Sequence, residues 1–172
     1  SLTSVQTSIS YFKLPIDSTP EYEGMLIRDR SWRPLDEPVH DYVLSEFGGR
    51  ATVVPRVWLT TRVLGKLAFY DFPAYIDGVE TAQHSYVHCL LGMSATEPGI
   101  TGIGRYLTAG AWFESDREAS CILPYDLASI VGIDASHVGR AEIELMGRKL
   151  KVVGIIDSDR LNVFRDLDGE RL

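Results

Sequence analysis

Three residues in the middle of the chain have the types and the spacing that a metal site would need. Glu80, His84 and His88 follow one another at intervals of four, so on a helix a carboxylate and two imidazoles would share one face and could bind zinc. The segment SYVHCLLGMS is typical of a strand, however, where the two histidines would only share a polar face. We therefore predict no zinc site, and we expect the isolated His40 and His137 at the surface.

Carboxylates gather near the end of the chain. Asp157, Asp159 and Asp166 precede the run Asp168-Gly169-Glu170, which matches part of a calcium-binding loop. Apolar residues at positions 161, 163 and 164 interrupt the alternating oxygen ligands of a complete loop. Turn-forming aspartates in a solvated loop account for the same run, so the sequence leaves both interpretations open.

No enzyme motif is complete in this sequence. The segment TGIGRY contains a Gly-x-Gly but lacks the third glycine of a dinucleotide fingerprint. No serine lies in a Gly-x-Ser-x-Gly elbow, and nothing points to a particular pair of catalytic carboxylates. We predict no catalytic, cofactor-binding or metal-binding residues and no cofactor.

The two cysteines are too few for a disulfide framework and lack the spacing of metal ligands. Cys89 and Cys121 each lie in an apolar stretch that is typical of a strand. We predict two buried thiols, although a disulfide stays open if the two strands are neighbours.

Aromatic and basic residues cluster shortly before residues 119–123, which are predicted below to be extended. A binding surface and an ordinary core both use such residues, and we favour the core. The cluster comprises Arg105, Tyr106, Trp112 and Phe113, with Trp32 and Trp58 as further candidates.

Composition indicates a globular domain and excludes two classes of partner. The 172 residues are 45% hydrophobic and 24% charged, enough to bury a core. With 17 basic and 24 acidic residues the net charge is −7, and no basic cluster offers a surface for nucleic acid or an anionic membrane. No apolar run approaches the roughly 18 to 20 residues of a membrane span, and the segment SLTSVQTSIS lacks the basic start and apolar centre of a signal peptide; spans and an export signal are expected outside these residues. The chain is expected to be a soluble piece of something longer.

The first half is expected to be mostly strands around one helix. Leu2–Leu14 alternates as a half-buried strand does, and a second extended run is predicted near 25–29. Asp36 is a suitable N-cap for a helix over about 37–47, which Gly48-Gly49 ends. Residues 51–93 are typical of an antiparallel meander with turns at Gly65-Lys66 and Asp77-Gly78.

The second half adds a loop, a strand and helix unit, and a hairpin. Residues 94–110 carry four glycines and predict a loop with a short helical piece at 101–107. Residues 119–123 are extended, Pro124 opens a helix and Gly132 stops it. A closing hairpin spans 141–159. The fold class is therefore α+β, a mostly antiparallel sheet with a few short helices on one face, in one domain or two lobes.

The order of features over residues 87–159 is distinctive. A strand ends at Leu91-Gly92-Met93-Ser94, and the segment from Gly110 to Phe113 matches a Gly-x-x-Phe pattern. A strand at Cys121 to Leu123 and a helix around Leu127-Ala128 follow. Val138-Gly139 then leads into a hairpin that contains Gly147 and Val152-Val153-Gly154-Ile155. This order resembles the extracytoplasmic (periplasmic) core domain of MacB-like and FtsX-like ABC-transporter permeases. The first half agrees only in the order of its elements. Ala109-Gly110-Ala111 departs from the family, which more often has a Gly-Arg pair there.

The resemblance implies both a place and a role. Residues 1–172 would be a MacB-like core domain from a longer permease, with 1–58 and 87–159 as the main lobe and about 59–86 as an extra hairpin region. It would lie on the periplasmic or extracellular side of the cell membrane and, without catalysis, couple cytoplasmic ATP hydrolysis to export or to contact with an extracytoplasmic protein. Its partners would be the transmembrane helices of the same chain and, through them, an ATP-binding subunit or domain.

The residues of the closing hairpin fit a structural role without the resemblance. Gly139 and Gly147 suit tight corners, and Gly154 suits a close approach between backbones. Five residues are predicted to face the core: Ile143, Leu145, Leu150, Val152 and Ile155.

The sequence also leaves two other functions open. A secreted carbohydrate- or peptide-binding module would present its tryptophans as an exposed platform. A small hydrolase would use the acidic cluster near the end of the chain.

Overall fold

The computed structural model describes residues 37–50, 52–60, 62–63, 66–67, 70–87 and 89–165. The strand predicted at Leu2–Leu14, the extended run near 25–29 and the Asp36 cap fall outside these residues. The described chain divides into two compact units, one that includes residues up to Val53 and one over Val54–Phe164. The division predicted from the resemblance stays a prediction.

The predicted first helix is present. Helix α1 spans Glu37–Phe47, and a turn at 48–50 follows it. The amide of Gly48 donates to the carbonyl of Leu44 at 2.8 Å, and a Cβ at position 48 would overlap that same oxygen. Glycine is therefore the residue that lets the chain leave the helix at this point.

The larger unit begins with nested antiparallel hairpins. Strand β1 (Arg56–Thr60) pairs with β8 (Cys89–Met93). Strands β4 (Tyr70–Phe72) and β7 (Ser85–Val87), which lie between β1 and β8 in sequence, pair with each other. A short hairpin of β2 (Arg62–Val63) and β3 (Lys66–Leu67) lies between them in sequence. The prediction of antiparallel strands is confirmed, but the strands nest instead of following one another as a meander.

The innermost hairpin joins the main sheet. Strands β5 (Ala74–Ile76) and β6 (Val79–Glu80) turn at Asp77-Gly78, where φ is +52° and +80°. Positive φ at both central residues is the type I′ geometry that matches the twist of a hairpin. The turn predicted at this position is confirmed.

Residues 94–110 contain more regular structure than the predicted loop. Helix α2 spans Glu97–Thr101, a 3₁₀ turn spans Ile103–Tyr106, and strand β9 spans Leu107–Gly110. The 3₁₀ turn lies within the helical piece predicted at 101–107, whereas the sequence pattern did not predict α2 or β9. Gly102, with φ +68°, makes the break between the two helical pieces.

The strand and helix unit that follows is close to its prediction. Strand β10 spans Ser120–Pro124 and helix α3 spans Tyr125–Ile130. Pro124 ends the strand at the N-cap position of the helix, and Gly132, with φ +74°, follows the helix. A 3₁₀ turn at Ala135–His137 leads to the closing hairpin.

The closing hairpin supplies the central strand of the main sheet. Strand β11 (Ala141–Leu145) turns through Met146-Gly147 into β12 (Arg148–Ile156), and helix α4 spans Ser158–Val163. The sheet has the order β10-β12-β11-β5-β6, and β9 also pairs with β12. Strand β12 therefore has three neighbours along its length.

All of these pairings are antiparallel except one. Strand β10 runs parallel to β12, and α3 then covers Leu123 and its neighbours with the buried Ala128. The α+β class predicted from sequence is confirmed by this mostly antiparallel, open sheet with separate short helices. No helix among the described residues is long and apolar enough to span a membrane.

The core of the larger unit lies on one side of the closing hairpin. Four of the five predicted core residues are buried, and Leu150 is half-buried against them. Along β11, Ala141, Ile143 and Leu145 are buried whereas Glu142 and Glu144 are not, as expected for period-2 alternation.

Two glycines let the paired strands β9 and β12 approach each other closely. Gly110 has φ +76°, and a Cβ there would overlap the carbonyl oxygen of Val153. At Gly154 a Cβ would lie 2.9 Å from the carbonyl oxygen of Ala111. The close approach predicted for Gly154 is confirmed, and Gly110 is its counterpart on the other strand.

Candidate binding groove

An apolar groove of about 580 Å³ opens in the larger unit. Four consecutive residues of β8, Leu90–Met93, and all five residues of β10, Ser120–Pro124, line this groove. Phe72, Leu127 and Ile143 are also among its lining residues. A volume of this size lies within the ~300 to 1,000 Å³ that is usual for ligand pockets.

Five residues of the loop over residues 111–119 also line the groove, and hydrogen bonds hold this loop in place. The carboxylate of Asp116 accepts from the Ser94 hydroxyl at 3.1 Å and from the amide of Ala95 at 2.5 Å. The indole Nε1 of Trp112 donates to the carbonyl of Ser94 at 3.1 Å. We refer to these contacts as the Ser94 clamp. They fix the loop against the end of β8.

A buried ion pair joins β1 to helix α2 beside the groove. Nη2 of Arg56 lies 2.5 Å from Oε1 of Glu97, and Nε donates to Oε2 at 3.1 Å. The side chains are 7% and 1% exposed. Two parallel bonds of this kind fix the orientation of both partners, so the β1–β8 hairpin is held to the helix that follows it.

Two polar atoms of β10 lie inside the groove region. The hydroxyl of Ser120 is buried and has no hydrogen-bond partner among the described residues. Cys121 is a free thiol, and burial raises its pKa to about 12. Cys121 is half-buried and packs against the core cluster, so the prediction of a buried thiol holds only in part for this residue, whereas the side chain of Cys89 lies outside the described part of the structure.

The residues of the predicted metal spacing do not form a helix face. His84 Nε2 lies 2.9 Å from Oε1 of Glu80, and its Nδ1 lies 3.6 Å from Oδ1 of Asp71. His88 is outside the described residues. Within the described ranges, no group of three His, Cys, Asp or Glu side chains is placed to hold a metal ion.

The two isolated histidines have local partners. His40 Nδ1 lies 3.4 Å from the neighbouring carboxylate of Asp41. His137 Nδ1 accepts from the amide of Asp134 at 3.2 Å, while Asp134 accepts from the amide of Ser136 at 2.8 Å. The hydrogen bond from the Ser136 hydroxyl, and then the one from the Ser136 amide, lower the pKa of Asp134. These contacts form a capping box for the 3₁₀ turn at Ala135–His137.

Part of the acidic cluster caps a helix. Asp157 is the N-cap of α4 and accepts from the amide of Arg160 at 3.0 Å. Asp159 is exposed in the first turn of the same helix. Asp166 and the Asp168-Gly169-Glu170 run lie outside the described residues, so the question of calcium binding stays open.

The aromatic cluster belongs partly to a second patch of core. Tyr106 meets Phe164 edge to face with ring centroids 5.9 Å apart, and Tyr106 and Trp112 pack against buried Ile103 and Ile156. The core interpretation is confirmed for Tyr106 and Trp112. Trp32 and the side chain of Trp58 fall outside what the structure describes.

Sequence reasoning missed the groove and the contacts that frame it. Arg56 and Glu97 are 41 residues apart in the chain, and Asp116 is 22 residues from Ser94. No local pattern indicates a pair at such a distance. The one available signal was Glu97 in the helix start Glu97-Pro98, where a carboxylate is common.

The chain thus forms an α+β fold whose larger unit contains the apolar groove described above. No family model matches the sequence, and no curated protein matches it. Among solved structures the fold is similar to that of the periplasmic region of MacB from Actinobacillus actinomycetemcomitans, with a TM-score of 0.50 and 14% sequence identity. The match covers 84% of this chain and 64% of the other. The predicted likeness to a MacB-like periplasmic domain is thus confirmed at the level of the fold.

Proposed function

We propose that this chain is the extracytoplasmic domain of an ABC-transporter permease subunit. It would act without catalysis and couple ATP hydrolysis in the cytoplasm to export or to protein contact outside the membrane. The observation that carries the proposal is the fold likeness to the periplasmic region of MacB, which extends over 84% of the chain. The order of motifs over residues 87–159 independently supports the same proposal.

The geometry of the larger unit suits a part that transmits motion. The buried ion pair joins β1 to α2, the Ser94 clamp joins the loop over 111–119 to the end of β8, and β9 and β12 approach closely at Gly110 and Gly154. Elements that are joined by packing and by buried polar contacts move as one body. We infer that force applied to the hairpin tip at Met146-Gly147 reaches β10 and β9 through the central strand β12.

Labelling in intact cells tests where the domain lies. Met146 is 67% exposed at the hairpin tip, so Met146→Cys, placed in the complete natural protein with Cys89 and Cys121 changed to Ser, offers one accessible thiol. A membrane-impermeant maleimide should label this cysteine before the cells are opened. Labelling that appears only after lysis contradicts the proposal, and a cytoplasmic protein with an exposed cysteine serves as the control.

Purification of the complete protein tests the coupling. It should bring with it an ATP-binding subunit or contain an ATP-binding domain, and attaching streptavidin to a biotinylated Met146→Cys should change the rate of ATP hydrolysis. Streptavidin attached at Asp159→Cys, outside the strands of the main sheet, is the matched control. Absence of any associated ATPase would refute the proposed coupling.

A further inference from the structure

The groove follows the edges of two strands. Successive side chains of a strand point to opposite faces, so a channel that touches every residue of a run lies along the edge of that strand. This condition holds for Leu90–Met93 of β8 and for Ser120–Pro124 of β10. The groove therefore separates two strand edges that face the same channel.

Both edges lack a second partner within the described residues. Strand β8 pairs only with β1, and β10 pairs only with β12, in the part of the chain that the structure describes. An unpaired edge presents a row of amide and carbonyl groups that another strand can bind. The buried Ser120 hydroxyl, which also lines the channel and has no partner among the described residues, adds a polar group that is costly to leave unsatisfied.

The lining of the channel combines two exposed carboxylates with apolar side chains. Asp116 and Glu118 are exposed and lie among the lining residues, in a chain with a net charge of −7. Most of the other lining side chains are aliphatic or aromatic, such as Leu91, Ile122 and Leu127. A ligand that matches this surface is apolar along its length and positively charged where it leaves the channel.

We propose that the channel binds an extended segment of a partner protein as an added β-strand. The segment alternates aliphatic residues and carries lysine or arginine beside them. Its backbone pairs with the edges of β8 and β10, its aliphatic side chains fill the apolar channel, and its basic residues face Asp116 and Glu118. A five-residue strand such as β10 spans about 17 Å, so roughly five residues of the partner are bound. The inference depends on the groove alone and goes beyond the proposed function.

The probe is a fluorescently labelled peptide of sequence Lys-Val-Thr-Val-Thr-Val-Thr-Lys, titrated against the 172-residue chain. Its matched control carries N-methyl groups on alternate residues, which keeps the side chains and removes backbone donors. The unmodified peptide should bind at least about tenfold more tightly than the control, since a tenfold change corresponds to one or two hydrogen bonds. Equal binding of the two peptides, or no binding at millimolar peptide, overturns the proposal.

Amide hydrogen exchange locates the bound peptide. Binding should slow exchange in residues 90–93 and 120–124 together, because both edges gain partners. Protection confined to other segments overturns the proposal. So does photo-crosslinking from position 122 that captures a second copy of the chain, or the chain's own residues, in place of the probe.

Two substitutions test the named side chains without disturbing the core. Glu118→Gln should weaken binding of the Lys-flanked peptide about threefold and leave a Ser-flanked peptide unchanged, as a surface charge effect requires. Ser120→Ala should weaken both peptides by a similar factor. If Glu118→Gln affects the two peptides equally, the charge match is wrong. Because the test uses this chain alone, its result is separate from that of the labelling in cells.

Discussion

At the scale of single residues, the close approach of the paired strands β9 and β12 at Gly110 is the tightest constraint. The backbone at Gly110 lies in the left-handed region, and a side chain there would also overlap the carbonyl of Val153 and approach Val138. Gly147 has almost the same φ, +75°, but lies at an open hairpin tip with nothing within 4 Å of a Cβ. The two positions therefore separate the effect of conformation from that of contact.

Gly110→Ala should destabilise the chain far more than Gly147→Ala. We expect a loss of about 1 kcal/mol for Gly147→Ala, from the left-handed conformation alone. For Gly110→Ala we expect about 3 kcal/mol, among the larger effects of single substitutions, because the backbones must also move apart. Urea unfolding of both variants measures the difference. Similar losses would show that the close approach adds nothing.

The Arg56–Glu97 pair is the other residue-scale constraint. Both side chains are almost completely buried, so removing one carboxylate leaves a guanidinium in a poorly hydrated place. The exposed pair of Lys149 and Glu142, with atoms 3.6 Å apart and side chains 51% and 41% exposed, also joins a cation to a glutamate, but in water.

Glu97→Ala is expected to lower the free energy of unfolding by about 3 to 5 kcal/mol. Glu142→Ala, the matched control, should cost less than about 1 kcal/mol because water screens an exposed pair. Chemical denaturation of both variants at neutral pH checks the comparison. A cost for Glu97→Ala as small as that of Glu142→Ala would mean that the buried pair contributes no more than a surface pair.

At the scale of elements, local signals were sufficient where an element is defined by its own sequence. The sequence predicted three features of this kind within a residue or two. These are helix α1 with the glycines that end it, the junction of β10 and α3 at Pro124, and the glycine turns at positions 78 and 147. Each depends on backbone preferences of neighbouring residues.

Elements that depend on distant partners could not be predicted in this way. Strand β9 is four residues long and becomes a strand only because Gly154–Ile156 pair with it. The pairing of β1 with β8 around β4 and β7, and the parallel pairing of β10 with β12, depend on which strand each one pairs with. Alternation of residues along one strand does not specify its partner. The groove was missed for the same reason, since it lies between two strands that are not paired with each other.

The Ser94 clamp yields a prediction at this scale. Asp116→Ala removes the acceptor of the Ser94 hydroxyl and the Ala95 amide, so the loop over 111–119 should open more often. Trypsin should then cleave after Arg117 several times faster than in the unaltered chain. Asp159→Ala, which removes an exposed carboxylate far from this loop in sequence, is the control. Unchanged cleavage at Arg117 would show that the clamp does not hold the loop.

At the scale of the whole molecule, the larger unit is organised around β12 and the core beside it. Val152 and Ile155 of this strand are buried with Leu123 of β10 and Ile143 of β11. Cys121 packs against the same cluster, so the reactivity of its thiol reports on whether the unit as a whole stays closed.

In a Cys89→Ser background, the Cys121 thiol should react very slowly with a soluble disulfide reagent. Because burial raises its pKa to about 12, the reactive thiolate fraction at pH 8 is on the order of 10⁻⁴, and it should grow about tenfold per pH unit up to about pH 11. The same chain in denaturant should react at the rate of an ordinary exposed thiol. A native rate that levels off near pH 9 would contradict the raised pKa of Cys121.

The pairing of β12 also determines the order in which the molecule can be assembled. Strands β9, β10 and β11 all pair with it, yet it is the last strand of the sheet to leave the ribosome. Strand β11 can pair with β5 earlier, but β9 and β10 have no strand partner among the described residues until β12 arrives. A chain truncated before residue 148 therefore lacks the only strand that pairs with β9 and β10 among the described residues, and newly made chains expose these two strands to aggregation and proteolysis until β12 is synthesised.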